Sequence, residues 1–198
     1  MPVFEVRIHG RGGQGVVTAA ELLSIAAFVE GHHAQAFPTF GSERSGAPVT
    51  AFCRIDDRPI RLREPIAEPD ALIVQDPTLL HQVALFDGLK PEGYVLINSG
   101  RTFHELGLES LGDELRAERM LTVPATEIAR AELGRPLPNA VLLGGFAAMS
   151  GVVSIESLAD AVGQRFQGRL AERNVAAARR AFTVVTEQME EPAHAQAD

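Results

Sequence analysis

Two short stretches of the chain carry residue types at spacings that can do chemistry. The first is Gly10-Arg11-Gly12-Gly13-Gln14-Gly15, which fits the pattern G-x-G-x-x-G. Glycines at such spacing let the backbone turn sharply and approach a ligand closely. The free N–H groups of a following helix can then receive a phosphate. The second stretch is Phe37-Pro38-Thr39-Phe40-Gly41-Ser42-Glu43-Arg44-Ser45-Gly46-Ala47-Pro48. Its glycines and prolines fix an irregular loop, and its phenylalanines anchor it. Ser42, Glu43, Arg44 and Ser45 lie between those anchors, able to give hydrogen bonds and an ion pair. Loops of that length with such side chains usually carry function; the plainer reading is a solvated surface turn.

Both stretches need elements to hold them. Val3 to His9 (VFEVRIH) reads as a strand leading into the glycines, and VVTAAELLSIAAFVEG after them has helical spacing, with Gly31 closing it. A short strand follows at His33 to Phe37. Val49 to Ile55 alternates as a strand, and Pro59 to Leu62 is expected to return as its hairpin partner, giving an antiparallel edge or arm. Ala71 to Val74 and Gly93 to Asn98 are short apolar runs suited to buried parallel strands, and Met120 to Val123 is a weaker one. Asp76-Pro77 opens a helix as cap and first residue.

The C-terminal third is helical, with a very apolar, small-residue segment at Asn139 to Met149 that requires tight burial. A start follows at Ser154, then a long amphipathic run from Leu170 to Met189. The fold class is therefore α/β: a Rossmann-like, mostly parallel open sheet with helices on both faces, a β-hairpin insertion and a helical C-terminal third. Residues 1–190 are expected to form one domain and 191–198 a disordered tail. In a doubly wound layout, loops at the strand carboxyl ends share one crevice, so the Phe37–Pro48 loop should lie beside the glycine loop.

A dinucleotide site also needs an acidic residue closing the second strand. Ala36-Phe37-Pro38 offers none, and Glu30 stands at a helix end. An anion site, a nicotinamide site and a simple packing turn all stay open for the glycine loop.

Bulk properties narrow the chemistry. The chain has 198 residues, 45% apolar and 22% charged, with a formal net charge of −8. Such a chain has no footprint for nucleic acid. Cys53 is the only cysteine, so no internal disulfide forms, and an iron–sulfur cluster, which needs about four ligands, is beyond it. No histidine stands at metal-ligand spacing, and no metal site is expected. Ser24, Ser42 and Ser99 lack a nucleophile-elbow setting. No leader pattern and no apolar run of about 18 residues occurs, giving a cytoplasmic reading without membrane contact. No self-sufficient catalytic set emerges.

Arg11-Gly12-Gly13-Gln14-Gly15 after a first strand, followed by the Phe37–Pro48 loop, closely resembles the gamma subunit of 2-oxoacid:ferredoxin oxidoreductases. That family includes the pyruvate, 2-oxoisovalerate and 2-oxoglutarate enzymes. The likeness continues through Asn139-Ala140-Val141-Leu142-Leu143-Gly144 and the last helix with Asn174, and so spans most of the chain. The related beta subunit of indolepyruvate oxidoreductase shares the glycine pattern, so the motif leaves the 2-oxoacid open.

The resemblance implies a hetero-oligomeric complex that decarboxylates a 2-oxoacid on thiamine diphosphate with Mg. It passes electrons through iron–sulfur clusters to ferredoxin or another acceptor and forms the acyl-coenzyme A. The gamma part holds no cofactor entirely by itself. It packs on alpha, beta and, where present, delta subunits, on the coenzyme A side. No catalytic residue carries over with certainty; Glu43 and Arg44 are supporting candidates. Gly10, Arg11, Gly12, Gly13, Gln14, Gly15, Ser42 and Arg44 are the expected cofactor-facing residues, with Arg44 meeting an anion and Glu43 orienting it. The competing readings are a stand-alone Rossmann-like nucleotide-binding protein and a purely architectural docking subunit.

Overall fold

A computed structural model describes residues 2–39, 45–113 and 115–195. One open sheet holds β1 (Phe4–Arg11), β2 (His33–Pro38), β3 (Pro48–Asp56), β4 (Ala71–Val74), β5 (Tyr94–Asn98) and β6 (Met120–Val123). The strand order is β2-β3-β1-β4-β5-β6. β1, β4, β5 and β6 pair in parallel, and β3 runs against both β1 and β2. The sheet is thus mostly parallel, with one reversed strand inside it.

The helices are α1 (Val16–Val29), α2 (Ala125–Leu133), α3 (Asn139–Ser150), α4 (Ile155–Arg165) and α5 (Gly168–Ala195). Alternation along the strands sends each set of side chains to one face. Val6 and Ile8 of β1, Cys53 and Ile55 of β3, Ile73 of β4 and Leu96 of β5 form one core with all five α-helices. Leu72, Val74, Val95 and Ile97 face the other way, against Leu79, Leu85, Leu106 and Leu108. That second face is covered by 3₁₀ helices at Pro77–His81, Glu109–Asp113 and Ala117–Arg119 with their connections. Helices therefore lie on both faces but unequally. Residues 77–119 include Pro77, Gly88, Pro91, Gly93, Gly100 and Gly107, which break any longer helical period.

The hairpin differs from expectation. The partner of β3 is β2, paired from His33↔Asp56 to Pro38↔Ala51, and Pro59 to Leu62 forms no strand. Both edges of β3 are already taken by β1 and β2, so residues 59–62 cannot pair with it. Leu62 instead offers its carbonyl to Arg54 Nη1 at 3.4 Å. Arg54 is only 4% exposed; its Nε donates to Glu5 Oε1 at 2.7 Å and its guanidinium stacks over Phe37. The buried Arg7 donates to the carbonyls of Leu85 and Asp87, each at 2.7 Å, and so fastens the covering segment onto β1.

Gly144 lets α3 cross α5 at backbone distance, since a Cβ there would stand 2.0 Å from the Ala178 carbonyl oxygen. α5 continues to Ala195, past the Glu190 boundary drawn from polarity. No described helix is long and apolar enough to cross a membrane.

Candidate functional site

The glycine loop sits where β1 hands over to α1, at the carboxyl end of the parallel strands. Gly13 and Gly15 take left-handed backbone, with φ of 95° and 73°. Gly15 caps α1, and its missing side chain makes room for Asn139, whose Nδ2 would be 2.5 Å from a Cβ there. No side chain caps α1 and no acidic residue lies in its first turn, so the leading N–H groups are uncapped.

Inside the loop, Gln14 folds back: Oε1 accepts from the Arg11 N–H at 2.8 Å, and Nε2 donates to Asp76 Oδ2 at 2.7 Å. Asp76 follows β4 and caps the first 3₁₀ helix as its sequence position foretold, accepting from the Thr78 N–H at 3.0 Å. Arg11 reaches the same carboxylate, with Nε 3.3 Å from Oδ2. Its Nη2 donates to Thr78 Oγ1 and Gln82 Oε1, and its Nη1 to the Gly46 carbonyl at 3.1 Å. Burial opposes the Asp76 charge. The hydrogen bonds from Thr78 and Gln14, with Arg11 nearby, outweigh that and hold the carboxyl below its ordinary range.

The second loop comes to the same place. Thr39 closes onto Thr50, its N–H donating to that carbonyl at 2.9 Å. At the far end Ser45 bridges to Gly12 as a short parallel pair. Gly12 donates to the Ala47 carbonyl at 2.9 Å, and Gly46 to the Gly12 carbonyl at 3.0 Å. The Ser45–Ala47 end of the Phe37–Pro48 loop is therefore stitched to the glycine loop, as the crevice argument expects, while its Thr39 end is fastened to β3. Ser42, Glu43 and Arg44 lie outside the described residues.

Of the expected cofactor-facing residues, Gly10 is buried, with Val16, Gln14 and Gln75 crowding its Cα. Arg11 and Gln14 engage their side chains within the protein. Gly12, Gly13 and Gly15 line a cleft of about 310 Å³ with Val16 and Val49. On the other flank, Gly13 and Gly15 border a larger cavity of about 580 Å³.

Three features escaped the sequence reading. Asp76 was legible as a cap but not as the hub joining Arg11 and Gln14. Asn98, the polar residue ending an apolar run, donates from Nδ2 to the Gln75 carbonyl and Thr126 Oγ1, both at 2.8 Å. This ties β4 and β5 to the start of α2. His9, whose Nδ1 meets Thr50 Oγ1 at 3.1 Å, is pushed down to about 4, chiefly by burial and secondarily by Arg7.

Two further expectations meet their geometry here. Glu30 accepts the Ser154 N–H at 2.6 Å at the start of α4, so it is engaged away from any ribose position at the end of β2. Cys53 is buried in the helix-side core, and burial pushes its thiol up, so it offers no thiolate to a cluster. Among the described residues, no group of three or more His, Cys, Asp or Glu could hold a metal ion.

This arrangement has close counterparts. The chain is 50% identical over 187 residues to the pyruvate/ketoisovalerate oxidoreductases common subunit gamma of Thermococcus litoralis, covering 93% of this chain and 100% of that one. It is 47% identical over 180 residues to pyruvate synthase subunit PorC of Methanothermobacter thermautotrophicus, covering 91% and 94%. The crystal structure of pyruvate oxidoreductase subunit PORC from Thermotoga maritima superposes with a TM-score of 0.78 at 34% identity, covering 92% of this chain and 97% of that chain. The family described as pyruvate ferredoxin/flavodoxin oxidoreductase matches residues 5–184, and the chain belongs to it.

Proposed function

We propose that this chain is the non-redox gamma subunit completing a cytoplasmic 2-oxoacid:acceptor oxidoreductase that converts a 2-oxoacid to its acyl-coenzyme A. The observation that carries the reading is the stitching of the two motif loops at Gly12 and Ser45, in a chain similar to gamma subunits along nearly all its length. The partners are alpha, beta and, where present, delta subunits, with ferredoxin or another acceptor served by the complex. Thiamine diphosphate with Mg, the iron–sulfur clusters and coenzyme A supply the decarboxylation, electron transfer and acyl capture when bound, and this chain has no thiolate for any of them.

Its own residues position and dock. Asp76 fixes Arg11 and Gln14, which fix the backbone of Gly10 to Gly15, which in turn sets the Ser45–Ala47 end of the second loop. That loop would then present Ser42, Glu43 and Arg44 toward the partner subunits, with Arg44 meeting a substrate carboxylate or coenzyme A phosphate and Glu43 orienting it. The internal engagement of Arg11 and Gln14 favours a docking role over direct ligand contact for those two.

Purification of the tagged chain from its host, with mass spectrometry of what accompanies it, is the test. A large thiamine-site chain and a brown, cysteine-rich chain are expected. Recovery of a lone, colourless protein overturns the subunit reading. In the purified complex, Arg44→Ala is expected to lower turnover or raise the coenzyme A requirement; unchanged values for both remove the anion role.

A further inference from the structure

β2 ends the sheet, and among the described residues no strand pairs with its outer side. Which of its backbone groups stand free follows from the ladder. The Thr39 N–H donates to the Thr50 carbonyl, one step beyond the Pro38↔Ala51 pair. In an antiparallel pair, residues bonded to the neighbour alternate with residues turned away from it. His33, Gln35 and Phe37 therefore bond to β3, while Ala34 and Ala36 turn their N–H and C=O groups outward. Neither alanine makes a backbone hydrogen bond to any connecting segment. Pro38, which has no N–H, closes the run.

This edge lacks the usual protection. Edge strands are ordinarily kept from pairing by charges, bulges, shortness or a cover. The opposite edge, β6, has four residues and packs beside the 3₁₀ turn at Ala117–Arg119. β2 has six residues and only alanine methyls beside its free groups. Phe28, 71% exposed at the end of α1, lies at the same edge. With Ala34, Gln35, Pro59 and Ile60 it borders a cleft of about 310 Å³. His33 completes that lining, which contains no Asp, Glu, Lys or Arg. In a chain of net charge −8, this is surface on which a second copy meets no local charge repulsion.

Gln35 supplies a second observation. It shares the face of Arg54, its register partner, and its Oε1 is buried without a hydrogen-bond partner among the described residues. A buried amide oxygen left unpaired costs stability. Glutamine carries both a donor and an acceptor, so it can satisfy a copy of itself across a two-fold axis.

We propose that β2 is a self-association edge: two copies of this chain pair their β2 strands antiparallel about a two-fold axis at Gln35, joining their six-stranded sheets into one. Ala34 of each copy then exchanges both backbone hydrogen bonds with Ala36 of the other. Gln35 stands opposite Gln35 of the second copy. A turn of each amide about its broad terminal torsion brings donor to acceptor across the axis. Phe28 of each copy flanks the junction on the helix side. The inference stands apart from the subunit reading, because a complex holding a single copy of this chain would sink it alone.

Analytical sedimentation of the full chain and of the purified complex tests it. The chain is expected to form a dimer, and the complex to contain two copies. Ala36→Pro removes an N–H that the β3 ladder does not use, and is expected to weaken the dimer about tenfold to hundredfold. Phe28→Glu, at a position that is exposed in the lone chain, is expected to weaken it as well. Melting transitions show that both variants are folded. Gln35→Cys is expected to cross-link to its copy under oxidation by diamide, because opposed Cα atoms at a non-hydrogen-bonded pair stand about 4.5 Å apart. Cys53 is buried, which leaves the introduced thiol as the reactive one. The inference is overturned by a chain that stays monomeric at its highest soluble concentration, or by a dimer that both substitutions leave intact. It is also overturned by a Gln35→Cys dimer that does not cross-link, or by a complex holding a single copy.

Discussion

The Gln14 side-chain amide donates to the Asp76 carboxylate at 2.7 Å across 62 residues of sequence, and this one bond closes the glycine loop onto the end of β4. The amide oxygen of Gln14 accepts the Arg11 N–H, so a single side chain ties the loop both to itself and to the sheet. Arg11 meets the same carboxylate oxygen, its Nε 3.3 Å away. The loop is therefore held by side chains from inside, while the Gly12 backbone engages the second loop.

Gln14→Glu keeps the acceptor for Arg11 but sets a second carboxylate against Asp76. Two like charges at hydrogen-bond distance raise the proton affinity of the pair. A group whose folded pKa is raised loses stability as pH rises above its unfolded value, which is about 4 for a carboxyl. The variant is therefore expected to be about 1–3 kcal/mol less stable than the parent at neutral pH. The gap should close as the medium is acidified toward that value. Urea unfolding of both proteins across this range measures it; a gap that does not depend on pH contradicts the contact.

His9 supplies a pH dependence of opposite sense. Its imidazole ordinarily titrates near 6.5, but in the folded protein burial, helped by Arg7, brings it to about 4. Between those values the unfolded chain takes a proton that the folded chain refuses. Its contribution is full above pH 6.5, falls as pH drops through the interval, and levels off below about 4. The total is about 3 kcal/mol. His9→Gln, which keeps a polar side chain facing Thr50, is expected to flatten this part of the stability profile. A slope between pH 6.5 and 4 that survives the substitution would assign it elsewhere.

Two glycines in helices should respond with opposite signs. A Cβ on Gly144 of α3 would meet the Ala178 carbonyl oxygen of α5 at 2.0 Å, a backbone atom that cannot step aside. Gly163 in α4 has nothing within 4 Å of such a Cβ. Gly163→Ala is expected to stabilise by about 0.5–1 kcal/mol through helix propensity. Gly144→Ala gains the same propensity but forces α3 and α5 apart, for a net loss of about 1–3 kcal/mol. Thermal melts of the two variants decide it, and equal effects would mean that the α3–α5 crossing is looser than described.

That crossing also shows what the sequence could carry. Asn139 to Met149 announced tight burial by its small residues, and Ala71 to Val74, Met120 to Val123 and the start at Ser154 were legible because local pattern and burial agree there. Pro59 to Leu62 misled because its residues suit a strand, while strand formation depends on a free edge, a property of the whole sheet. The cover of the second face was read as helical, but its glycines and prolines permit only 3₁₀ turns. At the site, the glycine turn and its junction with the Phe37–Pro48 loop followed from motif and topology. The Asp76 hub and the larger cavity bordering Gly13 and Gly15 did not. Asp76 looks like any helix cap until Arg11 and Gln14 arrive from the end of β1 and the loop after it. Arg135 after α2 comes beside Arg169 and Arg173 of α5 only through the packing of α2, α3 and α5.

The junction between Gly15 and Asn139 is the place where glycine loop and cavity share an atom-level contact, and a double-substitution cycle can measure it. Gly15→Ala meets two separate penalties. One is backbone: a φ of 73° costs an ordinary residue about 1 kcal/mol or more. The other is steric, because the new methyl would stand 2.5 Å from Asn139 Nδ2. Asn139→Ala removes the amide and, with it, the acceptor for the Ala140 N–H, a loss of about 1 kcal/mol. In the double variant the backbone penalty and the lost hydrogen bond remain, but the clash has gone. The double variant should therefore be more stable than the sum of the single effects predicts, by about 1 kcal/mol. Additive losses would separate the loop from α3. The expected coupling would establish that the start of α1, the glycine turn and the start of α3 respond as one unit, so that a ligand or partner seated on either flank of the loop is felt on the other.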